Sequence, residues 1–239
     1  MVCLVINAKI YFPDGEVAGT VIDLIFKSDG KIVALIASKM IIPLFRMGLI
    51  NIVLPYNMVR KIRGKYHVLL PKSLLFDKRL LSTYLDPRIV VSAFRYKLKR
   101  IMIVITYILT AILLLVLSIM FRKIGTIIYL IAVGLLFSMP LVFEAFLIIK
   151  VPGYYNLSLL RNSKVYDANG YLIGIVADAE IDYTTGIVRK IIIVKPPEFS
   201  TEFIERIYSG KSEISIRPDL LEKAGARRVY LRISYKELI

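Results

Sequence analysis

A pattern of about fifty residues is written twice in this 239-residue chain, once near each end. A repeat of that length constrains the architecture more than any local feature. Residues 7–15 read Asn-Ala-Lys-Ile-Tyr-Phe-Pro-Asp-Gly, and residues 162–170 read Asn-Ser-Lys-Val-Tyr-Asp-Ala-Asn-Gly. The match continues without a gap, with Gly15, Gly19 and Asp23 falling on Gly170, Gly174 and Asp178. After a one-residue insertion, Gly30-Lys31-Ile32-Val33 falls on Gly186-Ile187-Val188-Arg189. Two like modules are therefore expected, and such a duplication suits a scaffold better than an enzyme.

Each copy reads as a series of short strands separated by turn signals, the pattern of a small barrel. In the first copy these are Lys9–Tyr11, Val17–Phe26, Ile32–Ala37, Ile50–Leu54, Val59–Ile62 and Tyr66–Leu70, with hairpin turns at Pro13-Asp14-Gly15 and Ser28-Asp29-Gly30. In the second they are Val165–Tyr166, Leu172–Ile181, Val188–Val194, Glu213–Ile216 and Arg228–Ser234, with a helix over Glu198–Ile207 and a helical turn over Pro218–Ala224. Asp86 as N-cap and Pro87 at the first helical position start a long helix between the copies, with nothing to stop it before Phe121.

What lies between the copies sets the expected class. Hydrophobic content is 57% and mean hydropathy +0.67, more than a water-soluble domain needs. Two charge-free runs, Ile101–Phe121 and Ile124–Phe143, account for the excess. Each is about as long as the ~20 apolar residues a helix needs to cross a bilayer. The expected fold is thus a membrane protein, two small β-barrel domains joined by a two-helix transmembrane hairpin. Its parts are a first barrel (1–71), a helical linker with a basic juxtamembrane segment (72–100), the hairpin (101–149, spans at about 101–121 and 126–149) and a second barrel (150–239).

Charge orients this arrangement. Residues 1–100 hold 17 Lys+Arg against 6 Asp+Glu, so most of the formal net charge of +15 belongs to the first module and its approach to the hairpin. Arg95, Lys97, Lys99 and Arg100 precede the first run and Lys150 follows the second, whereas only Arg122 and Lys123 lie between. Basic residues stay on the cytoplasmic side, which places the protein in the cell membrane with two spans and both termini cytoplasmic. Arg95, Lys97, Lys99, Arg100 and Lys150 are then expected to meet anionic headgroups of the lipid bilayer. For Arg60, Lys61, Arg63 and Lys65 the choice between headgroups and a patch for an acidic protein or nucleic acid stays open. Glu144 is an intramembrane acid near the inner interface, where pairing with Lys150 or Arg100 explains it better than a partner contact, and a partner contact better than proton handling.

Signs of chemistry are few. With Cys3 and His67 as the sole cysteine and histidine, the usual zinc sites are not expected, and no cofactor or metal is. The glycines sit singly at turns and form no phosphate-cradling loop. Asp23 and Asp178 read as strand-end carboxylates that bind backbone amides rather than as catalytic acids, and His67 as structural.

Tyr11–Gly15, Gly19 to Asp23 and Gly30, with their counterparts Tyr166–Gly170, Gly174 to Asp178 and Gly186, resemble the PRC-barrel family. That family opens on a short strand, an Asp-Gly or Asn-Gly turn, a Gly-x-x-x-Asp strand and a Gly-containing hairpin. The resemblance covers nearly all of both flanks and none of the hairpin. It implies protein-binding barrels without catalytic residues of their own, used on membrane-proximal complexes, in ribosome maturation and in archaeal cell division. The expected function is a membrane-anchored, non-enzymatic adaptor whose cytoplasmic barrels dock protein partners. The alternatives are an accessory subunit of an integral-membrane complex held through the hairpin, and ribosome or nucleic-acid contact through the basic module, the last least favoured. A homo-oligomer is compatible with all three.

Overall fold

The computed structural model describes residues 6–38, 41–42, 47–48, 51–62, 64–120, 126–134, 151–196, 202–225 and 227–238. The first module holds strands β1 (Lys9–Tyr11), β2 (Val17–Phe26), β3 (Ile32–Ser38), β4 (Ile41–Ile42), β5 (Met47–Gly48), β6 (Asn51–Pro55), β7 (Val59–Ile62) and β8 (Lys65–Val68). Helices α1 (Lys78–Leu81), α2 (Pro87–Met120) and α3 (126–134) follow. The second module holds β9 (Tyr155–Asn156), α4 (Leu157–Leu160), β10 (Lys164–Tyr166), β11 (Leu172–Asp182), β12 (Ile187–Val194), α5 (Glu202–Tyr208), β13 (Glu213–Ile216), β14 (Leu221–Gly225) and β15 (Arg228–Leu231).

Two mixed sheets result, in the orders β6-β3-β2-β1-β8-β7 and β13-β12-β11-β10-β15-β14. Each is antiparallel except where β1 lies parallel to β8 and β10 parallel to β15. Among the described residues both paths are open, so two mixed sheets stand where closed barrels were expected. Irregularities recur in register. The β1–β2 ladder shifts between Ile10 and Tyr11, and the β10–β11 ladder between Val165 and Tyr166. The second long strand of each sheet bulges before its aspartate, between Val21 and Asp23 and between Val176 and Asp178. Asn7 and Asn162 hold left-handed backbone at φ 71° and 60°, and their N–H groups bond the Val21 and Val176 carbonyls. Asn tolerates that conformation better than other side-chain-bearing residues, which accounts for its place in both copies.

The two sheets meet directly. β9, the lead-in to the second module, adds to the first sheet by pairing Tyr155 and Asn156 with Phe26 and Ile25 of β2. The two hairpin turns clasp each other. Ile32 N–H donates to the Gly186 carbonyl and Val188 N–H to the Gly30 carbonyl, each at 2.8 Å. In the alignment of the repeats these bonds are exchanged images of one another, so the turns meet about a local pseudo-twofold axis. Buried side chains of both modules, among them Phe26, Leu35, Leu157, Leu160 and Ile191, form one continuous hydrophobic core.

α2 begins as its sequence directs. The Asp86 carboxylate accepts from Arg88 N–H at 2.8 Å, and Pro87 occupies the first helical position. Ile89 and Val90 are fully buried on the core, and Asn51 donates to the Tyr96 hydroxyl at 2.9 Å. Beyond Tyr96 the helix leaves the modules, with Leu98, Met102, Leu109, Leu113 and Ile119 exposed.

Among the described residues no helix is long and apolar enough to cross a membrane. That finding corrects the expected membrane protein, its two-helix transmembrane hairpin, its cell-membrane localisation with two spans and the cytoplasmic placement of both termini. The reason lies in how the apolar runs are used. The opening turns of α2 serve the protein core, and its middle carries exposed Arg95 and Lys99. The second run is described as helix over 126–134, while Pro140, Glu144 and Lys150 lie outside the described residues.

Candidate functional site

Two surfaces draw on the basic first module. β7 is the edge strand of the first sheet, and it places Arg60 opposite His67 and Lys61 opposite Tyr66 on β8. Arg60, Lys61 and Lys65 are exposed. Rings lie beneath the two lysines. Lys61 Nζ lies 5.8 Å from the Tyr66 ring centroid and Lys65 Nζ 5.3 Å from that of Tyr11. Tyr11 and His67, neighbours across the parallel β1–β8 pair, stand 5.7 Å apart. Cations held over ring faces are attracted by the ring quadrupole. Among the described residues no carboxylate forms an ion pair with Arg60, Lys61 or Lys65. The edge is therefore a basic strip with its charge unneutralised.

Arg63 lies outside the described residues. Arg95 and Lys99 project from α2, and the side chains of Lys97 and Arg100 lie outside the description, as do Lys150 and Glu144. The structure thus brings together Arg60, Lys61 and Lys65 from the sequence-based candidates.

The second surface is a cleft of about 420 Å³ at the seam between the modules, adjoining the basic edge through Arg60. Five stretches of chain build it. The β2–β3 hairpin supplies Lys27 and Lys31; the stretch from the 3-10 turn (Tyr56–Met58) into β7 supplies Tyr56, Asn57 and Arg60. The start of α2 and the residues before it supply Tyr84 and Asp86, and the second module supplies Tyr154, Thr184 and Thr185. Tyr56 is fixed because its hydroxyl donates to the Tyr183 carbonyl at 2.8 Å while its ring lies against Gly186. Asp86 is already engaged by Arg88 Nη2 at 3.0 Å and by the Tyr154 hydroxyl at 2.8 Å. Those bonds hold its carboxyl well below the usual carboxylate range, the Arg88 contact being the largest cause.

The two repeat aspartates serve the frame. Asp23 is buried at 6% exposure. It accepts from the backbone of Leu24 and Ser158 at 2.8 and 2.9 Å, from the Ser158 hydroxyl and from the Asn156 amide at 3.3 Å. Burial pushes its carboxyl up, and the Ser158 bonds oppose this. Asp178 instead accepts from Ala179 N–H at 2.8 Å and from Arg161 Nη2 at 2.6 Å. One carboxylate thus ties the second module's lead-in onto the first sheet, and its counterpart ties the lead-in of its own module.

Lys27, Lys31, Tyr84, Tyr154, Thr184 and Thr185 were not singled out from sequence. The signal present was the pair of aligned turns at Gly30 and Gly186, which marked two equivalent hairpins without showing that they touch. Among the described residues no group of three His, Cys, Asp or Glu side chains is placed to hold a metal. The chain matches no protein-family model and no curated protein.

Proposed function

We propose that the chain is a non-enzymatic docking scaffold, a PRC-barrel-like pair of modules that binds acidic protein partners on the basic edge of its first sheet. The observation that supports this most is the group of Arg60 and Lys61 on the edge strand β7 and Lys65 on its neighbour β8, without an ion pair among the described residues, Lys61 over the Tyr66 ring and Lys65 over that of Tyr11. An edge strand offers free backbone groups, and basic side chains there discourage pairing with like copies while attracting acidic surfaces. The rings lie under lysines, which favours a protein partner over the stacked bases that a single-stranded nucleic acid would present. The repeated motif residues supply the second line of support, since the family they resemble works by protein contact.

The test is affinity capture by the full chain from native extract, with and without nuclease, beside a Lys61→Glu, Lys65→Glu variant. The expected result is a small set of acidic proteins, resistant to nuclease, weakened by salt and lost from the variant. Capture that vanishes with nuclease, or that the variant retains, overturns the reading.

A further inference from the structure

We propose that the seam between the two modules is a binding site for a nucleotide, its phosphates held by Lys27, Lys31 and Arg60 and its base lying against the Tyr84 ring. This goes beyond the docking reading, with which it shares Arg60, and adds a small-molecule ligand to it.

The electrostatics come first. Lys27 and Lys31 flank the turn of the β2–β3 hairpin, where Lys27 N–H donates to the Lys31 carbonyl at 3.0 Å. Both are exposed and both line the cleft, so two ammonium groups converge on it from one hairpin. Arg60 adds a third cation to the same cleft, and among the described residues none of the three forms an ion pair. The one carboxylate in the cleft wall, Asp86, is engaged by Arg88 and Tyr154 and does not offset them. A planar guanidinium beside two ammonium groups suits a multiply charged phosphate chain.

The rest of the wall supplies what a nucleotide has beyond its phosphates. Tyr84 is 37% exposed, an open ring of the kind on which a base stacks. The second module's turn adds Thr184 and Thr185 to the wall, the Thr184 hydroxyl donating to Asp182. The volume is of the order that encloses a ligand of this size, and interfaces between packed units are where such sites form. Walls from five stretches of chain bound the cleft, which favours a small molecule over a through-running peptide.

The experiment is calorimetric titration and thermal unfolding of the full chain with ATP, inorganic tripolyphosphate and adenosine at fixed ionic strength. ATP is expected to bind at a single site and to raise the melting temperature as its concentration rises. Tripolyphosphate is expected to bind about ten-fold more weakly and adenosine more weakly still, since stacking and charge each supply part of the affinity. Tyr84→Ala should weaken ATP by about the same factor and leave tripolyphosphate unchanged. Lys31→Glu with Arg60→Glu should abolish both. Should that double variant fail to fold, the comparison of ATP with tripolyphosphate across Tyr84→Ala decides alone. The proposal is overturned if ATP neither titrates nor stabilises. It is equally overturned if ATP and tripolyphosphate bind alike and both ignore Tyr84→Ala, which would mean a basic surface only. No protein partner enters these readouts, so they succeed or fail apart from the docking assay.

Discussion

At the scale of single residues, Asp23 is the side chain with most at stake. It is a carboxylate at 6% exposure with hydroxyl and amide donors around it, and among the described residues no cation pairs with it. Burial raises its pKa from the ordinary value, and the bonds from Ser158, Leu24 and Asn156 only partly offset this. Folded Asp23 therefore keeps its proton to a higher pH than unfolded Asp23. Between those two values the folded state binds more protons, so stability is highest below the window and declines as pH rises through it. Asp182 works in the opposite sense at lower pH. Bonds from Thr184 and then Arg189 hold its carboxyl below the usual range, so its contribution is present above that range and is lost as pH falls through it. The two can be separated with Asp23→Asn, which removes one titration and leaves the other. Melting temperatures of wild type and variant, followed from about pH 7 towards the ordinary carboxylate pKa of about 4, should shift relative to each other in favour of wild type. Each unit of pKa separation corresponds to ~1.4 kcal/mol of that shift. Parallel curves would show that burial of Asp23 has no titrating consequence.

At the scale of elements, the clasped hairpin turns are the feature most sensitive to a single methyl group. Gly30 has φ +81°, and a Cβ there would come within 2.4 Å of the Val188 carbonyl oxygen on the other module. Gly170 has nearly the same backbone, φ +83°, with nothing within 4 Å of a Cβ. Gly170→Ala should thus cost about 1–2 kcal/mol for left-handed strain alone. Gly30→Ala should cost that and a further ~1–3 kcal/mol for the overpacked contact. Equal losses in urea unfolding would show that the turns do not bear on each other. These turns also mark how far the sequence could be read. β1 and β2 fall on the residues their alternation indicates, and β7 and β13 do likewise, because period-two patterning and turn glycines are local signals. The helix from Pro87 to Met120 was equally legible from its Asp-Pro start. Local preference misled at Leu221–Gly225, where Leu-Glu-Lys-Ala suits a helix; pairing with β15 makes it a strand after a 3-10 turn at Pro218–Leu220. It misled more over the apolar runs, whose hydropathy indicated spans that no helix among the described residues provides. The cleft was illegible for a further reason. Lys27, Tyr84 and Thr184 become neighbours only once two distant hairpins meet, and that meeting is a product of the fold.

At the scale of the molecule, the modules lack the independence that a duplicated sequence suggests. β9 leads into the second copy in sequence yet extends the first sheet, carrying Asn156 and Ser158 to Asp23. Tyr155 is buried against Phe26 with ring centroids 5.8 Å apart, and its hydroxyl donates to the Leu221 carbonyl of the second sheet at 3.1 Å. A single residue thus bridges both sheets. Parting the modules would expose one face of a shared core and leave Asp23 without its donors from Asn156 and Ser158, a loss that buried polar groups do not tolerate cheaply. Unfolding one module while keeping the other should then be unfavourable, and the molecule should melt as a unit. Calorimetry of the full chain is expected to give one transition whose calorimetric and van't Hoff enthalpies agree. Tyr155→Ala should move that whole transition to lower temperature by removing a buried aromatic, a change that costs on the order of 3–5 kcal/mol. Two resolved transitions in wild type, with only one displaced by Tyr155→Ala, would mean that the seam joins two bodies that fold alone. The contacts of Tyr155, Asp23 and the clasped turns argue against that outcome because each draws its partners from both copies of the repeat.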